Sequence, residues 1–204
     1  MNTLKNIIFI TITFMNYTHA KLFILIGPSG VGKSTLIQNL AQRGIIFESL
    51  VTHTTRPSRQ GEVHAKDYFF INNDEFNKKK ANDEFILPVA HYGNQYGTCK
   101  LYLQTKLQQK CNLICALTGD VAKQMNDIVG GNVVTIFISP PSITDLQTRL
   151  LHRKTETETS LQKRLNSAVF ELQDQDSFNY KIVNDNLDKA TEQLKNIFEK
   201  ETKQ

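Results

Sequence analysis

The residues best suited to chemistry lie in one glycine-rich segment, Gly27-Pro28-Ser29-Gly30-Val31-Gly32-Lys33-Ser34-Thr35. The segment satisfies the pattern G-x-x-x-x-G-K-[ST], in which backbone N–H groups turn inward around phosphate oxygens. In that arrangement Lys33 reaches the transferring phosphates, and the Ser34 hydroxyl ligates magnesium. The segment therefore predicts a P-loop that binds a nucleotide together with Mg²⁺.

The residues on either side supply the elements that a P-loop needs. Residues 22–26 are a continuous apolar run, typical of a buried parallel strand, and residues 35–41 have the apolar spacing of a helix. Further buried-strand runs lie at 113–117 and 133–138. Helical patterns follow at 143–153, 159–173 and 187–200. This alternation predicts an α/β fold with a parallel sheet.

Two groups of arginines are the next candidates for chemistry. Arg56 and Arg59 lie three residues apart and can form a donor cluster for a dianionic phosphate, to which Tyr68 adds a hydroxyl. A surface turn with solvated charges is the alternative interpretation. The second group consists of Arg149, Arg153 and Arg164. Its spacing suits either a cationic lid over phosphates or helical pairing with glutamates.

Composition limits the class of protein. The chain of 204 residues is 40% hydrophobic and 22% charged, which is ordinary for one globular domain. The formal net charge of +4 is mild, so no nucleic-acid partner is expected. The three cysteines have neither metal-ligand spacing nor the density of a disulfide scaffold, which predicts reduced thiols in a cytoplasmic protein.

Residues 1–20 form an N-terminal extension with two interpretations. Lys5, an apolar run at 7–14 and Thr18-His19-Ala20 loosely resemble a secretory signal. Alternatively, the assigned start lies upstream of the real one, and the chain begins at Met15. The apolar run is too short to span a bilayer, so no stable membrane association is expected. The globular domain is then expected at residues 21–204.

Taken together, these segments resemble the guanylate kinase family, from about Lys21 to Phe198. The motifs are GPSGVGKST, THTTRPSRQGE with the following KDYFF, GNQYGT, PPSITDLQTRLLHRKTETE and KIVNDNLDKA. The resemblance implies a P-loop kinase fold, in which a parallel β-sheet core is flanked by helices. It also implies a small inserted acceptor-binding lobe at about 50–100, a helical lid at about 145–170, and a monomer or homodimer.

The resemblance further implies a role for each matching residue. The ATP phosphates would lie on Gly30 to Thr35, magnesium at Ser34, and the adenine near Asn184. The acceptor phosphate would be held by Arg56, Arg59, Tyr68 and Tyr96. The catalytic cations would be Lys33 and the lid arginines Arg149, Arg153 and Arg164. Guanine O6 would contact the hydroxyls of Thr52 and Thr98, and Glu62 would shape the acceptor site.

Three positions depart from the family pattern where the acceptor base would be read. Leu87 replaces a family glutamate, and Ala116 and Thr118 replace two acidic residues of the next core strand. In the family such carboxylates accept hydrogen bonds from guanine N1 and N2, so their loss lowers the discrimination between bases. The first core-strand acid also helps to organise magnesium, which makes Asp120 a candidate stand-in.

The departures leave two alternatives to GMP phosphorylation. Ribose 1,5-bisphosphate phosphokinases share the P-loop and the TRP element, and they carry a leucine where Leu87 stands. A non-catalytic guanylate-kinase-like module would use the acceptor pocket to hold a phosphorylated or acidic protein segment. The Arg56–Arg59 spacing argues against the first alternative, and the intact Lys33 and Ser34 argue against the second. The sequence therefore favours a nucleoside monophosphate kinase that converts GMP and ATP to GDP and ADP.

Overall fold

The fold is a mixed α/β arrangement of nine strands and seven α-helices among residues 20–129, 131–152 and 158–203, which the computed structural model describes. In chain order the strands are β1 (Leu22–Ile26), β2 (Glu48–Ser49), β3 (His53–Thr54), β4 (Phe69–Phe70), β5 (Phe85–His91), β6 (Asn94–Cys99), β7 (Leu113–Ala116), β8 (Val133–Ser139) and β9 (Tyr180–Val183). The helices are α1 (Lys33–Gln42), α2 (Asn73–Ala81), α3 (Lys100–Gln108), α4 (Gly119–Val129), α5 (Ile143–His152), α6 (Glu158–Gln173) and α7 (Leu187–Thr202).

The central sheet has the strand order β2-β7-β1-β8-β9, and every pairing in it is parallel. Alternate side chains of β1 point to opposite faces. Phe23 and Leu25 pack with α1, α5, α6 and α7, whereas Leu22 and Ile24 pack with α3 and α4. A parallel strand covered on both faces needs apolar residues throughout, which explains the apolar run at 22–26. The predicted parallel core flanked by helices is confirmed.

The carboxyl ends of the parallel strands meet at one edge of this sheet. β1 leads into the glycine-rich loop there, and β9 leads into Asn184, whose backbone N–H donates to Ser139 O at 2.8 Å. β7 leads into Leu117, whose N–H donates to Leu25 O at 3.2 Å. This is the edge where open α/β sheets bind ligands, so the glycine-rich loop lies where a site is expected.

A second sheet, of order β4-β3-β6-β5, lies between β2 and α3 in the chain. We call residues 53–99 the inserted lobe. The antiparallel register of β5 and β6 is interrupted between Ile86 and Val89, where Leu87 has a φ of 42°. Helix α2 covers this sheet through Phe76, which is buried and stacks on Phe85 with ring centroids 4.6 Å apart.

The chain differs from the sequence interpretation around β2. Apolar residues at 45–47 and 50–51 predict a strand there, but the strand is confined to Glu48–Ser49. Its pairing is fixed by hydrogen bonds from Glu48 N–H to Asn112 O and from Leu50 N–H to Ile114 O, both at 2.9 Å. Ile45 and Phe47 instead pack against the core beside α7.

The interpretations of the N-terminal extension lie outside the described residues, apart from Ala20. Across residues 20–129, 131–152 and 158–203, no helix combines the length and the apolar character that a membrane span requires.

Candidate active site

The glycine-rich loop joins β1 to α1 and curls around the side chain of Lys33. Lys33 Nζ donates to the carbonyl oxygens of Gly27 and Pro28, the latter at 3.0 Å. Gly27 has a φ of 132°, and a Cβ there would lie 2.2 Å from Ile138 O. Only glycine fits such a position, because the loop passes directly over the backbone of β8.

Asn184 fixes the other side of the loop. Its Nδ2 donates to Val31 O at 2.8 Å, and Val31 itself is fully buried in the core. Gly32 has a φ of 102°, and a Cβ there would lie 2.5 Å from Asn184 Nδ2. The loop is therefore held to the end of β9 by a contact that requires glycine at position 32.

One cavity brings the glycine-rich loop and the inserted lobe together. Its loop side is lined by Gly27, Ser29, Gly30, Gly32, Lys33, Ser34 and Thr35. Its opposite side is lined by Thr52, Arg56, Arg59, Tyr68, Tyr96 and Thr98. Two phosphorylated molecules bound on the two sides would therefore face each other.

Glu62 organises the arginines of the inserted lobe. Its Oε1 lies 2.8 Å from Arg56 Nη2, and its Oε2 accepts from the backbone N–H of Arg59 at 2.7 Å. Burial opposes the carboxylate charge, but these hydrogen bonds keep the pKa of Glu62 below its usual value. The carboxylate does not line the cavity, so it supports the arginines from behind.

Two tyrosines complete this cationic cluster. The rings of Tyr68 and Tyr96 lie 6.2 Å apart, and the Arg56 guanidinium carbon is 5.4 Å from the Tyr68 ring centroid. Burial, reinforced by the neighbouring Tyr96, raises the pKa of Tyr68. A phenol that stays protonated can donate a hydrogen bond to an anion, so the cluster of Arg56, Arg59, Tyr68 and Tyr96 suits a dianionic phosphate.

The rest of the cavity wall is largely apolar. It is lined by Leu87, Val89, Ala116, Leu117 and Val121, with Thr118 beside them. Thr52 and Thr98 are buried beside this wall, and they add hydroxyl groups to the lining of the cavity. A flat ring with a few hydrogen-bonding atoms suits such a surface, because apolar faces cover the ring and hydroxyls can either donate or accept.

Glu171 is the one carboxylate among the described residues that line the cavity. Burial raises its pKa, while the positive charge of Lys33 acts in the opposite direction. Asp120, the candidate stand-in for the missing core-strand acid, is exposed in the first turn of α4 and does not line the cavity. Ser34 provides a hard oxygen ligand beside Lys33, which fits a magnesium ion that is otherwise bound by nucleotide phosphates.

Arg149 lies on the outer side of the glycine-rich loop. Its Nη2 donates to Asn184 O at 2.7 Å, and its Nη1 donates to Val31 O at 3.5 Å. A second cavity is lined here by Gly30, Gly32, Thr35, Arg149, Asn184, Asp185 and Leu187. Because this cavity adjoins the start of α1, it offers room for the nucleoside part of a nucleotide whose phosphates lie on the loop.

The three arginines of the expected lid do not share one environment. Arg164, on α6, lines the central cavity and donates from Nη1 to Ser29 Oγ at 2.7 Å. Arg149 lies at the second cavity instead. Arg153 lies outside the described residues. Among the described arginines of this group, only Arg164 therefore lies between the loop and the inserted lobe.

Among the polar side chains that line the central cavity, sequence reasoning missed three, namely His91, Tyr92 and Glu171. The Gly93-Asn94 pair between two strand-forming segments is a turn signal that could have placed the neighbouring Tyr92 at a hairpin. Glu171 carries no comparable signal, since a single glutamate on a helix is most often solvated.

A nucleotide-phosphate loop and a separate arginine cluster would be redundant in a protein that only bound one nucleotide. Placed across a single cavity, they fit direct transfer of a phosphoryl group between two phosphorylated substrates. The fold and the site together define the class as a P-loop kinase for a small phosphorylated acceptor.

Comparison with known proteins specifies the family. The family model described as guanylate kinase matches residues 19–201. A curated guanylate kinase of Mesomycoplasma hyopneumoniae strain 7448 is 38% identical over 195 residues, which cover 92% of this chain and 98% of the relative. A guanylate kinase of Thermotoga maritima is 35% identical over 183 residues, which cover 89% of this chain and 87% of the relative. The chain belongs to the guanylate kinase family.

The fold agrees with a solved structure of the same family. The crystal structure of guanylate kinase from Anaplasma phagocytophilum matches with a TM-score of 0.75 at 26% sequence identity. The match covers 91% of this chain and 88% of that chain. The predicted family and the predicted nucleoside monophosphate kinase class are both confirmed.

Proposed function

We propose that this protein transfers the γ-phosphoryl group of ATP to GMP, producing ADP and GDP. The observation that carries the proposal is that Lys33, Arg56 and Arg59 line one and the same cavity. Membership of the guanylate kinase family supports GMP as the acceptor. In the reaction an oxygen of the GMP phosphate attacks the γ-phosphorus in line, and the bond from that phosphorus to the ADP oxygen breaks.

The glycine-rich loop holds the ATP phosphates in this proposal. Lys33 exchanges its contacts with Gly27 O and Pro28 O for contacts with phosphate oxygens, because an ammonium group binds an anion more strongly than a neutral carbonyl. Ser34 would hold magnesium, which neutralises charge on the phosphates when bound. The cavity beside Arg149 and Asn184 would hold the adenosine part.

The cationic cluster of the inserted lobe holds the acceptor phosphate. Glu62 pairs with the guanidinium of Arg56 and holds the backbone of Arg59 before any ligand binds, so little side-chain entropy of Arg56 is lost on binding. Tyr68 and Tyr96 add hydroxyl donors. Because catalysis in this class is positioning plus charge stabilisation, the rigid cluster contributes to the rate as well as to the affinity.

The base would lie against the apolar wall beyond this cluster. Thr52 and Thr98 line the cavity, and in this proposal their hydroxyls would contact the 6-oxo group. Leu87, Ala116 and Thr118 line the same cavity, at positions where the family resemblance implies carboxylates. The guanine N–H groups would then be met by hydroxyls and water rather than by charged acceptors. We therefore expect GMP to be accepted with weaker discrimination against related 6-oxopurines.

The structure gives less support to the alternative functions. A sugar bisphosphate would leave the apolar wall from Leu87 to Val121 uncovered, whereas a planar base would cover it. A binding module for acidic protein segments would have no use for the contacts that shape the loop around Lys33. The curated relatives are named as guanylate kinases, which favours neither alternative.

The test is acceptor-dependent formation of ADP from ATP and Mg²⁺ by the purified protein. GMP, dGMP, AMP, UMP and ribose 1,5-bisphosphate are offered in parallel. Turnover with GMP and dGMP, at least tenfold above AMP and UMP, is expected from the hydroxyls that face the base. Selective turnover of ribose 1,5-bisphosphate would overturn the acceptor assignment. Inactivity with all five acceptors, combined with no binding of ATP, would instead favour the binding module.

A further inference from the structure

The hairpin that joins β5 to β6 places an aromatic ring at the central cavity. Its two turn residues, Tyr92 and Gly93, have φ values of 49° and 75°. They lie between the paired residues His91 and Asn94, as in the two-residue turns that match the twist of antiparallel strands. Asn94 Nδ2 also donates to Tyr92 O at 3.1 Å. The position of Tyr92 is therefore set by the backbone of the turn.

The Tyr92 ring packs against the guanidinium of Arg164, which comes from another part of the chain. The Arg164 guanidinium carbon lies 4.5 Å from the Tyr92 ring centroid, the shortest cation–ring distance among the described residues. Arg164 Nη1 donates at the same time to Ser29 Oγ in the glycine-rich loop. The guanidinium thus lies between the loop and the hairpin, in the cavity that also contains Lys33.

These contacts connect three separate parts of the chain. Tyr92 belongs to the inserted lobe, Ser29 to the glycine-rich loop, and Arg164 to α6, which follows the segment that contains Arg153. Arginine is a long side chain with several freely rotating bonds, and a ring face on one side restricts its orientation. The ring of Tyr92 is in turn covered by His91, with ring centroids 3.9 Å apart.

We propose that Tyr92 is a positioning residue that holds Arg164 toward the transferring phosphate when the inserted lobe closes over the acceptor. The proposal rests on the phosphoryl transfer proposed above. The ring lies on the inserted lobe and the guanidinium on α6, so their contact at 4.5 Å joins these two parts of the molecule across the cavity. Binding of the acceptor to the lobe would then complete the set of cations around the phosphates.

Two substitutions of Tyr92 separate this role from simple packing. Tyr92→Phe keeps the ring face, and Tyr92→Leu keeps an apolar side chain without it. We expect Tyr92→Leu to lower kcat about tenfold with a smaller change in KM for ATP, and Tyr92→Phe to stay within twofold of the wild type. Equal losses in the two variants, or a loss confined to KM for GMP, would overturn the proposal.

A double-mutant cycle with Arg164→Gln gives the second readout. If Tyr92 acts through Arg164, Tyr92→Leu should lower kcat by less than twofold in the Arg164→Gln background. An undiminished tenfold loss there would overturn the proposal. A thermal melt of each variant detects misfolding. If Tyr92→Leu is misfolded, Tyr92→Met, which also lacks the ring face, replaces it in the cycle, and an undiminished loss in the Arg164→Gln background again counts against the coupling.

Failure of the proposed function can be distinguished from failure of this inference. If wild-type protein phosphorylates another acceptor instead of GMP, GMP is overturned as the substrate, and the same variants are compared with the acceptor that is used. Binding of a non-hydrolysable ATP analogue, titrated with and without that acceptor, measures the coupling directly. We expect the acceptor to tighten analogue binding in the wild type and in Tyr92→Phe, and to tighten it at least threefold less in Tyr92→Leu.

Discussion

Glu62 Oε1 lies 2.8 Å from Arg56 Nη2, and this ion pair has a side-chain exposure of only 19% at Glu62 and 10% at Arg56. The same carboxylate accepts from the backbone of Arg59 at 2.7 Å. An acidic residue is therefore what gives this anion-binding cluster its shape, although it carries the same sign of charge as the ligand. Its benefit is geometric, because it holds two guanidinium-bearing segments in place before the acceptor phosphate arrives.

The first prediction concerns this pair. Glu62→Gln should raise KM for GMP about tenfold, because the amide cannot accept from both arginine positions as strongly as the carboxylate does. KM for ATP should change less than twofold, since the glycine-rich loop is untouched. Steady-state kinetics with each substrate varied in turn measure both constants. Glu75→Gln, at an exposed position of α2, is the control, and an unchanged KM for GMP in Glu62→Gln would contradict the prediction.

The second prediction concerns Lys33. Lys33→Ala should lower kcat at least about a hundredfold, the scale for losing one preorganised group that stabilises charge in the transition state. The loss follows from the position of Lys33 Nζ inside the loop, where it already contacts the carbonyls of Gly27 and Pro28. The exposed Lys78→Ala is the matched control. A Lys33→Ala protein that keeps a near-normal rate would remove the glycine-rich loop from the mechanism.

The third prediction concerns the apolar wall. Wild-type protein should phosphorylate IMP with a kcat/KM within about tenfold of that for GMP, because no described side chain on that wall offers a carboxylate to the guanine 2-amino group. Leu87→Glu should raise the GMP-to-IMP ratio by about tenfold, and the uncharged Leu87→Gln should raise it less. Competition of the two nucleotides for one enzyme measures the ratio. A ratio that Leu87→Glu leaves unchanged would mean that the base lies elsewhere.

The fourth prediction concerns pH and the stability of the inserted lobe. His53 is buried, its ring stacks on Phe69 at 4.7 Å, and its Nδ1 has no hydrogen-bond partner in the described structure. Burial, with a smaller effect of Lys79, lowers the pKa of His53 from 6.5 to about 4. Between these values the unfolded state binds more protons than the folded state, so stability is lost as the pH falls through that window.

The measurement is the free energy of unfolding in urea at pH 7 and at pH 5. His53 should account for a loss of about 2 kcal/mol at pH 5, since the unfolded ring is largely protonated there and the folded ring is not. His53→Phe keeps an aromatic ring against Phe69 but cannot take up a proton. The wild type should therefore lose about 2 kcal/mol more than His53→Phe, and equal losses would show that His53 does not carry this pH dependence.

Local spacing was enough to predict the centre of the site. The glycines, Lys33 and Ser34 lie within one loop, so the pattern that binds phosphate is complete without any distant contact. The parallel sheet could also be predicted from a local pattern. A strand that is buried on both faces is apolar at every position, as β1 is. The strand expected around residues 45–51 is confined to β2, since the apolar residues Ile45 and Phe47 pack against the core beside α7 instead of pairing.

What the sequence by itself determined is therefore the phosphate loop, the parallel α/β core and the family, all of which depend on residues close together in the chain. Only the tertiary structure decided which side chains line the central cavity. Arg164 reaches Ser29 across 135 residues and Asn184 reaches Val31 across 153, so helix packing selects Arg164 for the central cavity and leaves Arg149 outside it. Tyr92 and Glu171 enter the cavity for the same reason, because side-chain direction depends on how distant elements pack together.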